Sequence, residues 1–367
     1  MWLIIFSVLS IAYLLWRIWT VLPLPWVGKA VVIALGMGAF LLLPIGVIGG
    51  FDRYSLGTAR IIYAIGTSSI VVMLYMILFF LALDLGRLVR LVPKRWLYNN
   101  LWTLLGVVAL TALVLFYGNR RYHDKQRVEL NLTTDKPLMR DYKIVMLSDL
   151  HLGYNNTRKD LAEWVDLINA EKPDFILIAG DIIDASTKPL MEEDMAAEFR
   201  RLSAPIYACL GNHERFSSAP NTQLFFRKAG IRLLNDDSMP IDRSLIVICH
   251  DDRSNPYRKS VVDLMIAASA RFDPSGSAYK ILLDHQPYDL EHAEHAGIDF
   301  QLSGHTHHGQ VWPISWVTDA MYECAHGSYQ RGKTQYYVSS GLGIWGGKYR
   351  IGTQSEYVVA TLKRAAK

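Results

Sequence analysis

The chain has 367 residues, 51% of them hydrophobic, with 38 Lys/Arg, 34 Asp/Glu and a formal net charge of +4. This length accommodates two domains, and so apolar a composition excludes an ordinary, wholly soluble enzyme. The positive balance belongs to residues 1–120, where Asp52 and Asp84 are the only acids against nine Lys/Arg. The remainder is near neutral, so no basic face for nucleic acid is expected.

Residues 1–118 read as a multi-span transmembrane region of about four helices: Leu3–Leu22, Val27–Gly50, Ile61–Leu83 and Leu101–Tyr117. A spanning helix needs about 20 apolar residues. The second and third segments meet this easily, and the fourth is short. The first carries Arg17 near its end, placed to snorkel to the headgroups. Trp16, Trp19, Trp26, Trp96 and Trp102 fall at segment ends, as in an aromatic belt. Asp52 and Asp84 read as solvated interface charges. The basic residues divide evenly between the two possible orientations. The compact loop Asp84–Asn100, with Arg87, Arg90, Lys94 and Arg95, is the cleaner cytoplasmic signal and favours an extracytoplasmic domain in the cell membrane.

Residues 119–140 read as a linker with a lead-in strand, and residues 141–367 as a folded α/β domain. Tyr142–Ser148, Phe175–Ala179, Ile206–Leu210, Leu245–Cys249, Lys280–Leu283, Phe300–Ser303, Tyr336–Ser339 and Tyr357–Leu362 are short apolar runs expected as buried strands. Helices are expected at 157–172, 190–202, 221–229, 260–270 and 289–296. In the first of these, Leu161, Trp164, Val165 and Ile168 share a face, Thr157 is the N-cap and Pro173 follows the end. The three cysteines form no CxxC pair, and Cys209 and Cys249 read as small buried thiols within strands.

Five polar clusters follow these apolar runs: Asp149-Leu150-His151, Gly180-Asp181, Gly211-Asn212-His213, Asp284-His285 and Gly304-His305-Thr306-His307. Each alone is explained by a turn, a cap or a satisfied histidine. Their joint occurrence after strands points to loops at sheet ends, where catalytic groups of α/β domains gather. Hydrolysis of a phosphate ester brings an anionic nucleophile to an anionic centre. Two divalent ions about 3.5–4 Å apart can activate a water and clamp the developing charge. Such a pair needs a bridging carboxylate with imidazole, carboxylate and amide ligands around it. A thiolate-free set suits Mn, Fe, Co or Zn, with Mn placed first.

The series resembles the calcineurin-like metallophosphoesterases over about residues 141–363. The fuller strings SDLHLG, LLDHQP, GHTHHGQVWP and YVSSGLGIWG are similar to the YaeI/YkuE-type membrane-associated branch. The resemblance implies a four-layer α/β/β/α sandwich with two mixed sheets. It implies that Asp149, His151 and His307 bind one metal, that Asn212, His285 and His305 bind the other, and that Asp181 bridges them. It further implies that His213 meets the leaving-group oxygen and that Asp184 orients it. Ala185 departs from the phosphoprotein phosphatases, which place a phosphate-gripping arginine there. His250-Asp251-Asp252 reads as a structural turn. His308 reads as an outer or exposed residue, and Arg215, Tyr154, Asn155 and Arg158 are candidate phosphate contacts.

The resulting expectation is a membrane-embedded phosphoesterase or pyrophosphatase with membrane lipids around it. Its substrate would be amphipathic, such as a phospholipid or a UDP-diacylglucosamine-like pyrophosphate. Alternatives are a phosphatase or phosphodiesterase for soluble esters that is merely anchored, and a catalytically inactive scaffold or receptor. Oligomeric state is left open.

Overall fold

The computed structural model describes residues 2–217 and 219–365. It divides into two compact units, residues 1–120 with 346–348 and residues 121–345 with 349–367. The first unit comprises α1 (Trp2–Val21), α2 (Trp26–Gly49), α3 (Leu56–Leu88) and α4 (Leu101–His123). α2, α3 and α4 are each long and apolar enough to cross a membrane, whereas the described apolar stretch of α1, Ser7–Val21, falls short of that length. Among the described residues, three of the four expected segments are thus long and apolar enough to span.

Two charges depart from the sequence reading. Arg17 does not snorkel: it is 2% exposed, and its Nε donates to Asp84 Oδ2 at 2.8 Å. Asp84 is not a solvated end charge, because α3 continues past it to Leu88 and Tyr13 Oη donates to the same oxygen at 2.6 Å. Tyr13 and Arg17 are four apart and share a face of α1. A guanidinium shielded from water requires a counter-ion, and Asp84 supplies it.

The second unit runs β1 (Gln126–Thr134), β2 (Tyr142–Leu147), α5 (Arg158–Ala170), β3 (Phe175–Ala179), α6 (Lys188–Glu192), α7 (Met195–Phe199), β4 (Ile206–Cys209), α8 (Ala219–Ala229), β5 (Ile231–Leu233), β6 (Asp237–Asp242), β7 (Leu245–Cys249), α9 (Val261–Phe272), β8 (Tyr279–Leu283), α10 (Glu291–Ala296), β9 (Phe300–Ser303), α11 (Ile314–Met321), β10 (Gly327–Arg331), β11 (Thr334–Val338) and β12 (Glu356–Arg364). These strands form two six-stranded mixed sheets, ordered β1-β12-β2-β3-β4-β5 and β10-β11-β9-β8-β7-β6. β2 to β5 are mutually parallel, as are β7, β8, β9 and β11.

Alternation along the strands builds the layers. Ile144 and Met146 point between the sheets, where they meet Val247, Ile281 and Leu302. Val145 and Leu147 point outward to Leu161, Trp164 and Val165 of α5. On the far side, Ile246, Ile248 and Leu282 pack on Leu264 of α9 and Ala293 of α10. The result is an α/β/β/α sandwich. Strands covered on both faces read as continuous apolar runs, which is why they were legible.

Thr157 caps α5 through a capping box with Asp160, whose carboxylate accepts from Thr157 N at 2.7 Å. The helix expected at 190–202 is instead two, α6 and α7, broken where Asp194 takes a left-handed conformation (φ 47°). Much of the expected linker is regular structure: α4 continues to His123, and β1 pairs with β12 along its whole length. The short or edge strands β5, β6 and β10 lack a buried apolar run, and Pro240 within β6 obscures it further. Cys209 and Cys249 lie buried in β4 and β7 as free thiols.

Asp84→Ala would strand a buried guanidinium, at a cost of about 3–5 kcal/mol. The expected result is a clear fall in thermal midpoint in detergent, largely restored in an Arg17→Met/Asp84→Ala double variant. Equal midpoints for wild type and Asp84→Ala would refute this role for the pair.

Candidate metal centre

The five clusters lie in loops that follow β2, β3, β4, β8 and β9, so the packing of the two sheets brings them to one place. The backbone there is unusual. Asp149, His151, Asp181, His305 and His307 all have positive φ, between 45° and 69°. Non-glycine residues adopt this region at a cost of about 1–3 kcal/mol each and do so mainly at functional sites.

Two groups of donors lie over the strand ends, and a third, His151, Asp184 and His213, overlaps the first. The ligand-capable atoms of Asp149, His151 and His307 lie within 4.8 Å of one another, as do those of Asp181, His285 and His305. In the first group, His151 Nε2 is 3.0 Å from His307 Nε2, and Asp149 Oδ1 is 3.4 Å from His307 Nε2. Atoms that share one ion at bond lengths of about 2.0–2.2 Å sit at such separations. Asp181 Oδ2 is 3.6 Å from His151 Nε2 and 3.1 Å from His285 Nε2, so this carboxylate faces both groups.

The hydrogen-bonding state of these donors fits divalent ions. His285 Nδ1 lies 2.7 Å from the carbonyl of Ala179, which assigns a proton to Nδ1 and turns Nε2 towards Asp181, whose charge outweighs burial and holds this imidazole well above its ordinary pKa. That Nε2 is buried without a hydrogen bond, and so is Asn212 Oδ1. An orphaned buried amide oxygen is costly unless something else satisfies it.

Electrostatics agree. Burial raises the Asp149 and Asp181 carboxyls, but the surrounding histidines outweigh it and hold both below the ordinary range. His305 is lowered to about 4 by burial and then by His285, so its ring is neutral at physiological pH. Burial lowers His151 too, but its bonds to Asp149 and Asp184 prevail and push it up to about 10.

His213 stands beside the first group. Its Nδ1 is 3.2 Å from Asp184 Oδ1, and its ring meets His151 edge-on at 4.5 Å. Asp184 Oδ1 also lies 3.4 Å from His151 Nδ1. Burial would raise this carboxyl, but the bonds from His151 and His213 lower it, keeping it anionic between the two rings.

Three positioning residues escaped the sequence reading. Glu214, buried after His213, accepts from the backbone N–H groups of Asp181, Ile183 and Gly211 at 3.1, 2.9 and 2.7 Å. Asn156 Nδ2 donates to the carbonyls of Leu150, His151 and Ile344, and its Oδ1 accepts from Tyr122 Oη at 2.7 Å. Arg350, fully buried, donates from Nη1 to the His307 carbonyl at 2.6 Å, and from its other nitrogens to the Ser340 and Gly343 carbonyls and to Ser355 Oγ. Burial lowers its pKa to about 10 against the pull of Asp149 and Glu356. Glu214 was adjacent to a recognised cluster. Nothing in the sequence around Asn156 or Arg350 marks them.

Other candidates fall elsewhere. Arg158 is held by Glu198 at 2.9 Å and by the Glu193 carbonyl, so its guanidinium is committed to the outer helical layer. Tyr154 is 1% exposed, Asn155 is half-buried, and Arg215 pairs with Asp251 at 3.0 Å. His250 bonds to Asp284 and Asp252 Oδ1 closes a turn onto Ser254 N, as a structural turn requires. His308 stacks on His326 (centroids 4.8 Å apart) and lies 3.4 Å from Asp319, outside both donor groups.

A two-sheet α/β sandwich with aspartate and histidine donors gathered over its strand ends defines a metallophosphoesterase domain. The family model for calcineurin-like phosphoesterases matches residues 142–309. An uncharacterized metallophosphoesterase of Aquifex aeolicus is 30% identical over 65% of the chain and 92% of its own length. The chain belongs to this family, which implies divalent metal ions. One of Campylobacter jejuni is 34% identical over 62% of the chain, and a transmembrane protein with metallophosphoesterase domain from Bos taurus is 28% identical over 65%. The matched region spans 60% and 56% of those two relatives.

Arg350→Lys keeps the charge but loses the planar fork. Outer residues that orient ligands are worth about 10–100-fold in metal affinity. The variant is expected to stay folded and to need correspondingly more Mn²⁺ for half-saturation, read by elemental analysis of dialysed protein. Unchanged affinity would exclude a positioning role.

Proposed function

We propose that the chain is a membrane-embedded, binuclear-metal phosphoesterase acting on an amphipathic phosphate ester or pyrophosphate. The observation that supports the hydrolytic reading is the gathering of Asp149, His151 and His307 and of Asp181, His285 and His305 into two donor groups, with Asp184 and His213 adjoining the first through His151. Asp149, His151, His307 and Asp181 would hold one ion, and Asn212, His285, His305 and Asp181 the other. Mn²⁺ is the first candidate for both. When bound, the ions lower the pKa of a shared water and offset the charge of the phosphate oxygens.

The chain's own residues supply the rest. The imidazole of His213 carries a proton towards the departing oxygen, while Asp184 holds the ring by Nδ1 and so presents Nε2 to the substrate. Asp184 also keeps the His151 ring in place through its far nitrogen. Glu214 keeps the Asp181 and Asn212 loops in register. The amphipathic substrate follows from the company the site keeps: α2, α3 and α4 exceed what a simple anchor requires. The basic connection between α3 and α4, with Arg90, Lys94 and Arg95, favours the cytoplasmic side for itself and the outer side for the residues after α4.

Purified full-length protein with Mn²⁺ should hydrolyse a phospholipid or nucleotide-linked lipid pyrophosphate in preference to soluble monoesters. His213→Ala should lower kcat about 10²–10⁴-fold on esters with a poor leaving group. It should cost much less on p-nitrophenyl phosphate, and metal content should be unchanged. Equal losses on both substrates would remove the leaving-group role, and preference for soluble monoesters would remove the amphipathic substrate. For sidedness, protease added to intact cells should digest the α/β unit; full protection would reverse the orientation.

A further inference from the structure

An amphipathic helix on a folded domain ordinarily buries its apolar stripe. α11 does the reverse. The one residue it buries is Ser315, while Ile314, Trp316, Val317 and Met321 are exposed, Trp316 by 65%. Trp312 meets Trp316 edge-on with centroids 5.4 Å apart. Trp345 is exposed as well, and its carbonyl accepts from Nε2 of Gln310, two residues before Trp312, at 3.4 Å. These six make up half of the twelve exposed large apolar side chains among the described residues of the α/β unit. They also include three of its four tryptophans; the fourth, Trp164, is buried in the core. Clustering of this kind marks an interaction surface.

We propose that α11 with Trp312 and Trp345 is an interfacial docking face, seated in the headgroup–acyl boundary of the bilayer that holds the chain's own apolar helices. Two features select a bilayer over a protein partner. Tryptophan combines an apolar body with an N–H that prefers the wet side, and is the residue enriched at that boundary. The bilayer is also always at hand: only Asp124 and Lys125 separate α4, one of the helices able to cross it, from β1 of the α/β unit. A short helix with an apolar outer face is the form that lies in the interface plane.

The docking face is tied to the metal centre. Gly309 follows His307 and His308 with φ 70°, and a Cβ there would overlap the backbone of Ile314 and Ser315. The start of α11 therefore lies directly on the metal loop, and His308 bonds towards Asp319 of the helix at 3.4 Å. Seating α11 in the interface would hold His307 at the depth where an amphipathic ester presents its phosphate. This consequence for substrate rests on the phosphoesterase reading; the docking itself does not.

The test uses full-length protein in proteoliposomes. Val317→Cys carrying an NBD label is compared with labelled Tyr257→Cys, a loop position 90% exposed. Lipids with a nitroxide near the headgroup should quench the label at 317 at least about twofold more than the label at 257 and shift its emission to the blue. Equal quenching at the two sites would overturn the proposal. So would label-to-label energy transfer at 317 without lipid quenching, which would assign the face to a second copy. A Trp316→Ser/Val317→Ser variant should raise KM for a vesicle-presented phosphoester by about tenfold per side chain lost, with turnover of p-nitrophenyl phosphate unchanged. An unaltered KM would remove the link to substrate. The quenching readout needs no turnover, so a preparation inactive on every ester would count against the phosphoesterase reading alone.

Discussion

The α/β unit depends on one close approach between loops of different sheets. The loop after β9 lies against the loop after β2: His305 N donates to both oxygens of Asp149 at 3.1 Å. Gly304 permits this contact, because a Cβ there would overlap the Asp149 carboxylate and the Ser148 side chain. The β8 loop joins the same junction when His285 Nδ1 donates to the Ala179 carbonyl at the end of β3. Neither donor group is complete within a single sheet. The apolar layer between the sheets is therefore what assembles the centre, and its buried area, at about 25 cal/mol per Å², is what holds opposing loops at hydrogen-bonding distance.

That assembly is strained and then braced. Five of the seven donor residues occupy left-handed backbone, so the loops do not rest in these shapes unaided. Glu214, Asn156 and Arg350 each engage several backbone groups at once, and each is almost fully buried. Their shared logic is to satisfy main-chain polar groups that tight loops leave unpaired, and so to hold the side chains before any ion arrives. Asp184 performs a parallel task with side chains, standing as one anion between His151 and His213.

The same chain combines this centre with helices able to cross a membrane and with a short helix, preceded by Trp312, whose apolar residues face outward. The Arg17–Asp84 pair follows the same physics within the helical unit, since a charge withdrawn from water is tolerated only beside its opposite. The donors and the exposed apolar surfaces thus lie on separate parts of the molecule, the donors on strand-end loops and the apolar surfaces on helices.

The order of strands and donors was written in the sequence because both obey local rules. Buried parallel strands are unbroken apolar runs, and a polar cluster at the end of each can be seen without knowing its neighbours. Asp149, His151, Asp181, Asn212, His213, His285, His305 and His307 were all named on that basis, whereas Asp184 came only from the resemblance to the family. What local rules cannot express is partnership. Arg17 looked like a charge bound for the headgroups until Asp84, 67 positions away, was found beside it. Arg158 looked free for phosphate until Glu198 claimed it. Arg350 and Asn156 had no pattern at all, since their partners are backbone carbonyls scattered along the chain. By itself the sequence determined which chemical groups are present and on which kind of loop each sits. Only the tertiary structure decided which charges neutralise one another, which buried donors are left for an ion, and which apolar residues remain uncovered, because each of these is a property of pairs distant in the chain.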